Sequence, residues 1–313
     1  MTPRNFNTFT YQEKFGAMML AKIPENLKIT SLRTHPLVTM IRVLSGTASI
    51  IHHYNETEIY NKVNYFNVDF KVSKNKWHQE FPLVISTDVS ILDISLYIQA
   101  IKNTNITFYK NILTEVSQFI VHTKRKSHTS AFIYIYRMLE RLSYAFPLIY
   151  SQKSSDYMQS FSQLKNMMSG DRDKSELGFF KVFLKKILED SDLKETSVDI
   201  LIGTDNLVMQ DIMYKSMKSV CSDDMIHEDT QEPRKLSIKF ENMGDFVISI
   251  RNRFFHYRNE SGNLDSDRLV DSDEFFNCLN KYALQWICSI FILMFSHNLS
   301  DFQSMVSENK VDE

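Results

Sequence analysis

An arginine, an asparagine and a histidine lie within six residues of one another near the end of this chain, at Arg251, Asn252 and His256. A histidine can take or give a proton near neutral pH, because its unperturbed pKa is about 6.5. An arginine carries a permanent planar charge that matches a phosphate, and an asparagine can orient a hydroxyl or a phosphate oxygen. Such a set could drive attack of a ribose 2′-hydroxyl on the adjacent phosphate without a metal, which is a route to RNA cleavage.

These residues lie in a segment with the periodicity of an amphipathic helix, predicted from about Leu236 to Arg258. Asn252 and His256 would lie on adjacent turns opposite the apolar stripe, with Arg251 between the two faces. The apolar residues Ile248 and Phe255 fall on the polar side too, so that side needs a second cover, either more of the chain or a second copy. The stripe recurs at alternating spacings of four and three: Leu236, Phe240, Met243, Val247, Ile250, Phe254 and Tyr257.

A purely structural interpretation also fits the spacing. His256 would then be an ordinary, partly buried histidine that is hydrogen-bonded to its surroundings. An arginine five positions before a histidine is common by chance, so the pair alone does not decide between the two interpretations.

The segment RNRFFH, from Arg251 to His256, resembles the signature of the HEPN superfamily, which is an arginine, a polar residue, a few more residues and then a histidine. The resemblance covers about residues 105–298 in architecture, but only these six in specific positions. The segment from Tyr136 to Pro147 (YRMLERLSYAFP) also resembles an early helix of bacterial HEPN-like proteins. The resemblance implies a bundle of four or five helices, ribonuclease activity in toxin or anti-phage systems, and a site completed by dimerisation.

Roles can be carried over from this resemblance for three residues. Arg251 would bind phosphate, Asn252 would position the substrate, and His256 would transfer the proton. Some toxin members place a tyrosine two residues after the histidine, where partner enzymes modify it. Here Tyr257 follows the histidine directly and Arg258 takes that position, which puts neutralisation by that route in doubt.

Further residues are candidates for supporting roles. The basic cluster around Lys124, Arg125 and Lys126 could follow an RNA backbone, together with Arg258, although a solvated turn fits equally well. Glu140 could orient the arginine of the site, although a salt-bridged pair with the neighbouring Arg137 and Arg141 is an alternative. Tyr257 is a further supporting candidate.

Composition limits the class of protein. The chain has 313 residues and a formal net charge of −2, so there is no global attraction to nucleic acid and any such binding needs a local patch. The three cysteines have neither metal-ligand nor disulfide-framework spacing. The N-terminus has no signal-peptide pattern, and the apolar run Trp286–Phe295 is too short to span a bilayer. We therefore expect a cytoplasmic protein with no metal, no cofactor and no membrane partner.

The predicted fold class is α+β. A β-rich N-terminal domain (1–104) is followed by an all-α HEPN-like helical domain (105–300), with a helical insertion at about 151–235 and a C-terminal tail (301–313). Strands are predicted at 28–32, 47–54, 64–74, 81–87 and 90–99. Helices are predicted at 105–122, at 130–146 with a stop at Pro147, at 154–168, 175–189 and 206–219, and from about Asp271 to Phe295. The acidic segment 222–232 is predicted to be a solvated loop.

Three functions remain open from the sequence. The leading hypothesis is a metal-independent endoribonuclease of HEPN type that acts as a homodimer on RNA, with an inhibitor or a phage-derived trigger as a further partner. The second is a non-catalytic HEPN-like module that binds a protein or a nucleotide. The third is a defence sensor whose N-terminal domain recognises a trigger.

Overall fold

The computed structural model describes residues 8–30, 34–66, 76–151, 158, 161–162, 165, 176–189, 191–230, 234–256, 262–265 and 269–311. These residues form helices together with two small antiparallel three-stranded sheets, which confirms the α+β class. They divide into two compact units, and each is described separately below. The first unit is Met1–Lys124 with Cys288–Glu313, and the second is Arg125–Ile287.

The first unit combines a sheet with helices. Its sheet has the order β1 (Phe9–Glu13), β2 (Ala48–His52) and β3 (Thr57–Tyr60), with Phe9 opposite His52 and Ser49 opposite Tyr60. Its helices are α1 (Ala17–Leu20), α2 (Pro36–Leu44), α3 (Trp77–Ile85), α4 (Ile91–Ala100) and α5 (Ile106–Lys124). Helix α2 packs against α5 and β2, and it is buried from Leu37 to Leu44. This unit therefore has its own apolar core.

The second unit contains the other sheet and the helices that surround it. The sheet has the order β4 (Ser197–Leu201), β6 (Lys235–Lys239) and β5 (Ile226–Thr230). The helices are α6 (His128–Ser151), α7 (Glu176–Leu188), α8 (Leu207–Ser219), α9 (Met243–Phe255) and the first part of α10 (Ser272–Val311). The Asn206 side chain accepts the N–H groups of Val208 and Met209 and so fixes the start of α8.

Two strands predicted in the N-terminal region are helices. Of the segments 81–87 and 90–99, residues 81–85 belong to α3 and residues 91–99 belong to α4. Helix α4 begins with a capping box, in which the Ser90 and Asp93 side chains each accept the other residue's backbone N–H. The buried residues Ile94, Tyr97 and Ile98 then follow at helical spacing. Their high β-propensity misled the prediction, because propensity is outweighed by capping and periodicity.

The remaining strand predictions have mixed outcomes. The segment 47–54 is confirmed, because it contains β2. The segment 28–32 is not a strand in its described part, residues 28–30. The segment 64–74 lies mostly outside the described residues.

A strand also replaces the start of the helix predicted from Leu236. Residues Lys235–Lys239 form β6, the central strand of the second sheet, with β4 on one side and β5 on the other. Leu236 and Ile238 are both fully buried, and their spacing of two places them on one face of the strand. The acidic segment predicted as a loop supplies the edge strand β5. The second unit is therefore not all-α.

Most of the predicted helices form, with changed ends. Helices α5, α7 and α8 match their predicted ranges closely, whereas the range 154–168 lies mostly outside the described residues. Helix α6 continues past Pro147 to Ser151, so the predicted stop at this proline is wrong. The Asp271 carboxylate accepts the Glu274 N–H at 3.0 Å, which confirms the predicted start of α10. That helix continues to Val311, through most of the range predicted as a tail.

Helix α10 is long enough and apolar enough to cross a membrane. The stretch Ser272–Ser307 reaches a mean hydropathy of 1.4 over an 18-residue window, and 72% of that window is buried inside the protein. Trp286 is 1% exposed, and its indole N–H donates to the Phe240 carbonyl at 2.9 Å. This burial is what a core helix requires.

Candidate active site on helices α6 and α9

Helices α6 and α9 pack side by side in opposite directions. The Phe132 and Phe255 rings are parallel, with centroids 6.2 Å apart, and the Arg251 guanidinium lies 4.5 Å from the Tyr136 ring centroid. From the first pair to the second, the position advances by four residues on α6 and falls back by four on α9. The two contacting pairs are therefore one helical turn apart on each helix, but in opposite chain directions, so the two helices are antiparallel.

Several groups at the contact between α6 and α9 hold the Arg251 side chain in one orientation. Its guanidinium lies over the Tyr136 ring, and one of its N–H groups donates to the Asn252 side-chain oxygen at 3.0 Å. The Tyr136 hydroxyl is hydrogen-bonded to the side chain of Glu140, one turn further along α6. Burial raises the pKa of Tyr136 and the nearby Arg251 charge lowers it, with a net upward shift. The structure thus brings together Arg251, Asn252 and Glu140 of the predicted site, with Tyr136 between the arginine and the glutamate.

His256 does not lie on a turn of the helix as predicted. Helix α9 ends at Phe255, and His256 follows with extended backbone angles (φ −115°, ψ 111°). In a longer helix, the Arg253 carbonyl would accept the N–H of the residue four positions on. Here it accepts the Leu264 N–H at 2.9 Å instead. The returning chain therefore takes the place of the next helical residue. His256 is exposed and directly follows the last residue of α9.

An aromatic cluster holds the end of α9 in place. Phe254 and Phe255 both contact Phe276 near the start of α10, and Phe132 contacts both Phe255 and Phe276. Phe132 and Phe276 are fully buried, whereas Phe255 is 38% exposed. The residue directly before His256 is thus supported by a rigid core but still reaches the surface. Ile248 is half-buried, so the apolar residues on the polar side of α9, Ile248 and Phe255, are only partly covered.

The other predicted contacts are placed as follows. Lys124 is the last residue of α5 and belongs to the first unit, whereas Arg125 and Lys126 belong to the second unit and precede α6. All three are exposed, as a phosphate-binding cluster or a solvated turn would be. His128, two residues after Lys126, is instead buried, and burial lowers its pKa. Tyr257 and Arg258 lie outside the described residues.

Tyr136 was not singled out from the sequence as a site residue. Its signal was present, because Tyr136 and Glu140 are four residues apart on a predicted helix and so lie on one face. What the sequence could not show is that this face of α6 meets Arg251 of α9.

Among the described residues, no group of three or more His, Cys, Asp or Glu side chains is arranged to hold a metal ion.

Comparisons with models of protein families, with curated proteins and with solved structures found no match to this chain. The function therefore has to be inferred from the residues of the site and from their geometry.

Proposed function

We propose that this protein is a metal-independent endoribonuclease of HEPN type that acts as a homodimer in the cytoplasm, in anti-phage defence or as a toxin. The observation that supports it best is the end of helix α9. There a guanidinium is held in a defined orientation one turn before the helix ends, and an exposed histidine directly follows the helix. Cleavage by an internal hydroxyl needs proton transfer and stabilisation of the developing phosphate charge, and a histidine and an arginine can supply these two functions.

In the proposed reaction, the His256 imidazole removes the proton from a ribose 2′-hydroxyl. The 2′-oxygen then attacks the adjacent phosphorus, and the bond from phosphorus to the 5′-oxygen breaks. The leaving 5′-oxygen takes up a proton, and the products are a 2′,3′-cyclic phosphate and a 5′-hydroxyl end. Arg251 stabilises the negative charge that develops on the phosphate oxygens.

A homodimer through the face of α9 that carries Asn252 would supply the second proton-transfer group. The partner's His256 would protonate the leaving oxygen, since one histidine cannot be base and acid at the same moment. Two features favour contact at this face: the 38% exposed Phe255 ring and the half-buried Ile248. The exposed basic residues Lys124, Arg125 and Lys126 are proposed to contact the RNA backbone.

The test is a cleavage assay with purified protein and total cellular RNA in EDTA. Arg251→Ala and His256→Ala should each abolish cleavage, whereas the wild type should leave 2′,3′-cyclic phosphate ends. His227→Ala is the matched control, because His227 is an exposed histidine on β5 of the same unit. Far-UV circular dichroism checks the folding of each variant.

Cleavage that survives His256→Ala in a folded protein would refute the assignment of the site. If no protein cleaves in vitro, toxicity in cells separates the remaining cases. Toxicity of the wild type and of His227→Ala, but of neither site variant, would indicate an activity that awaits its trigger. Equal growth of all strains would favour the non-catalytic module.

A further inference from the structure

We propose that Tyr136 is a positioning residue of the site: its ring orients the Arg251 guanidinium, and Glu140 in turn holds the Tyr136 hydroxyl. This inference extends the proposed function, because it says how the phosphate-binding group is prepared for its substrate. It assigns a role to a residue on α6, which lies 115 positions before the arginine in the chain.

The geometry limits the arginine from two directions. The Tyr136 ring lies against the guanidinium carbon at 4.5 Å, a distance at which a cation is attracted to the face of an aromatic ring. The Asn252 oxygen accepts one N–H group at 3.0 Å, which fixes rotation within the guanidinium plane. A guanidinium has five N–H groups, so these contacts use one face and one donor and are compatible with a phosphate at the opposite edge.

The tyrosine is itself well fixed. Tyr136 is only 9% exposed, and it lies one turn after Phe132, whose ring is fully buried against Phe276. Its hydroxyl is bonded to Glu140 on the following turn. A ring held in this way can impose its plane on a flexible side chain, which a leucine cannot do, since leucine offers no π-face.

The expected consequence lies in the chemical step. An arginine that has to be ordered at each turnover still attracts RNA by its charge, but it stabilises the transition state less well. We expect Tyr136→Leu to reduce kcat/KM by roughly tenfold, with most of the loss in kcat. Tyr136→Phe keeps the ring but loses the Glu140 bond and should cost roughly twofold to threefold. Tyr144→Leu, an exposed position two turns along the same helix, should leave both constants unchanged.

A double-mutant cycle tests whether Tyr136 acts through the arginine. Arg251→Lys keeps the charge but loses the planar group that stacks on the ring. In the Tyr136→Leu background this change should have a much smaller effect than in the wild type. Fully additive effects in folded variants would overturn the inference.

NMR provides a readout that does not depend on catalysis. The Nε–Hε signal of Arg251 is assigned by its absence from Arg251→Lys, and a ring current from Tyr136 should displace it from the position of a solvated arginine. Tyr136→Leu should return the signal to that position, whereas Tyr136→Phe and Tyr144→Leu should leave it displaced. An unchanged signal in folded Tyr136→Leu would overturn the inference. If the signal moves as expected but the wild type neither cleaves RNA in vitro nor is toxic in cells, the positioning stands and the proposed ribonuclease function fails.

Discussion

The start of helix α9 provides a sharp test of the packing that carries the site. A Cβ atom added at Gly244 would lie 3.1 Å from the Trp286 Cη2 atom and 3.8 Å from a methyl group of Leu184. Trp286 cannot easily move away, because it is 1% exposed and its indole N–H is bonded to the Phe240 carbonyl. Gly244→Ala gains at most about 1 kcal/mol of helix propensity. Overpacking of a tight core costs about 1–3 kcal/mol.

The clash should therefore outweigh the propensity, and we expect Gly244→Ala to lower the free energy of unfolding by about 1 kcal/mol. Urea unfolding followed by far-UV circular dichroism measures the change. Gly203→Ala is the matched control, because a Cβ at Gly203 meets nothing within 4 Å. Trp286→Phe removes the clashing ring atoms, so in that background Gly244→Ala should become neutral or stabilising. The same destabilisation in both backgrounds would refute the assignment of the cost to this contact.

Two further predictions concern the first unit. Arg42 is fully buried, donates to the Leu27 carbonyl and to the Glu13 carboxylate, and lies 3.9 Å from the centroid of the Phe15 ring. Arg42→Met should therefore lower the free energy of unfolding, measured in urea, by about 3–5 kcal/mol, and Arg42→Lys should lower it less. A loss below about 1 kcal/mol for Arg42→Met would contradict this account. The neutral His35 ring accepts the Leu37 N–H at the start of α2, and burial lowers the pKa of this histidine. Its contribution to stability is therefore complete above the pKa of the unfolded state, near 6.5, and is lost as the pH falls toward the lower pKa of the folded state. His35→Asn keeps a capping oxygen that does not titrate, and it should reduce the loss of stability between about pH 7 and pH 5; an equal loss in both proteins would contradict the assignment.

The sequence predicted the helices better than the strands, for a physical reason. Helices α5, α7 and α8 carry long periodic stripes or clear caps, and these signals are local. Strand β6 was hidden, because its alternation is short, its neighbour β5 comes from the acidic segment that was predicted to be a loop, and its other neighbour β4 lies far earlier in the chain. The apolar segments of α3 and α4 are rich in residues with high β-propensity, and for α4 the local helix signals are the capping box at Ser90 and the helical spacing of the buried residues after it.

The candidate site was predictable only in part. The sequence identified Arg251 and Asn252 by type and spacing, and Glu140 by a softer argument. It missed Tyr136, because only tertiary packing shows which face of α6 meets α9. It also placed His256 within a helix that in fact ends at Phe255, since nothing local indicates that the Arg253 carbonyl accepts the Leu264 N–H.

The early end of α9 bears on the choice between a catalytic and a structural histidine. A histidine that served only packing would be expected on the covered side of the helix, with its ring among the aromatic side chains. Instead Phe254, Phe255 and Phe276 make those contacts, and His256 is exposed in an extended segment directly after them. Replacing an exposed residue of this kind should change stability by no more than about 0.5 kcal/mol. A full loss of RNA cleavage in His256→Ala at unchanged stability would then have a chemical cause, whereas a large loss of stability would show that the histidine has a structural role.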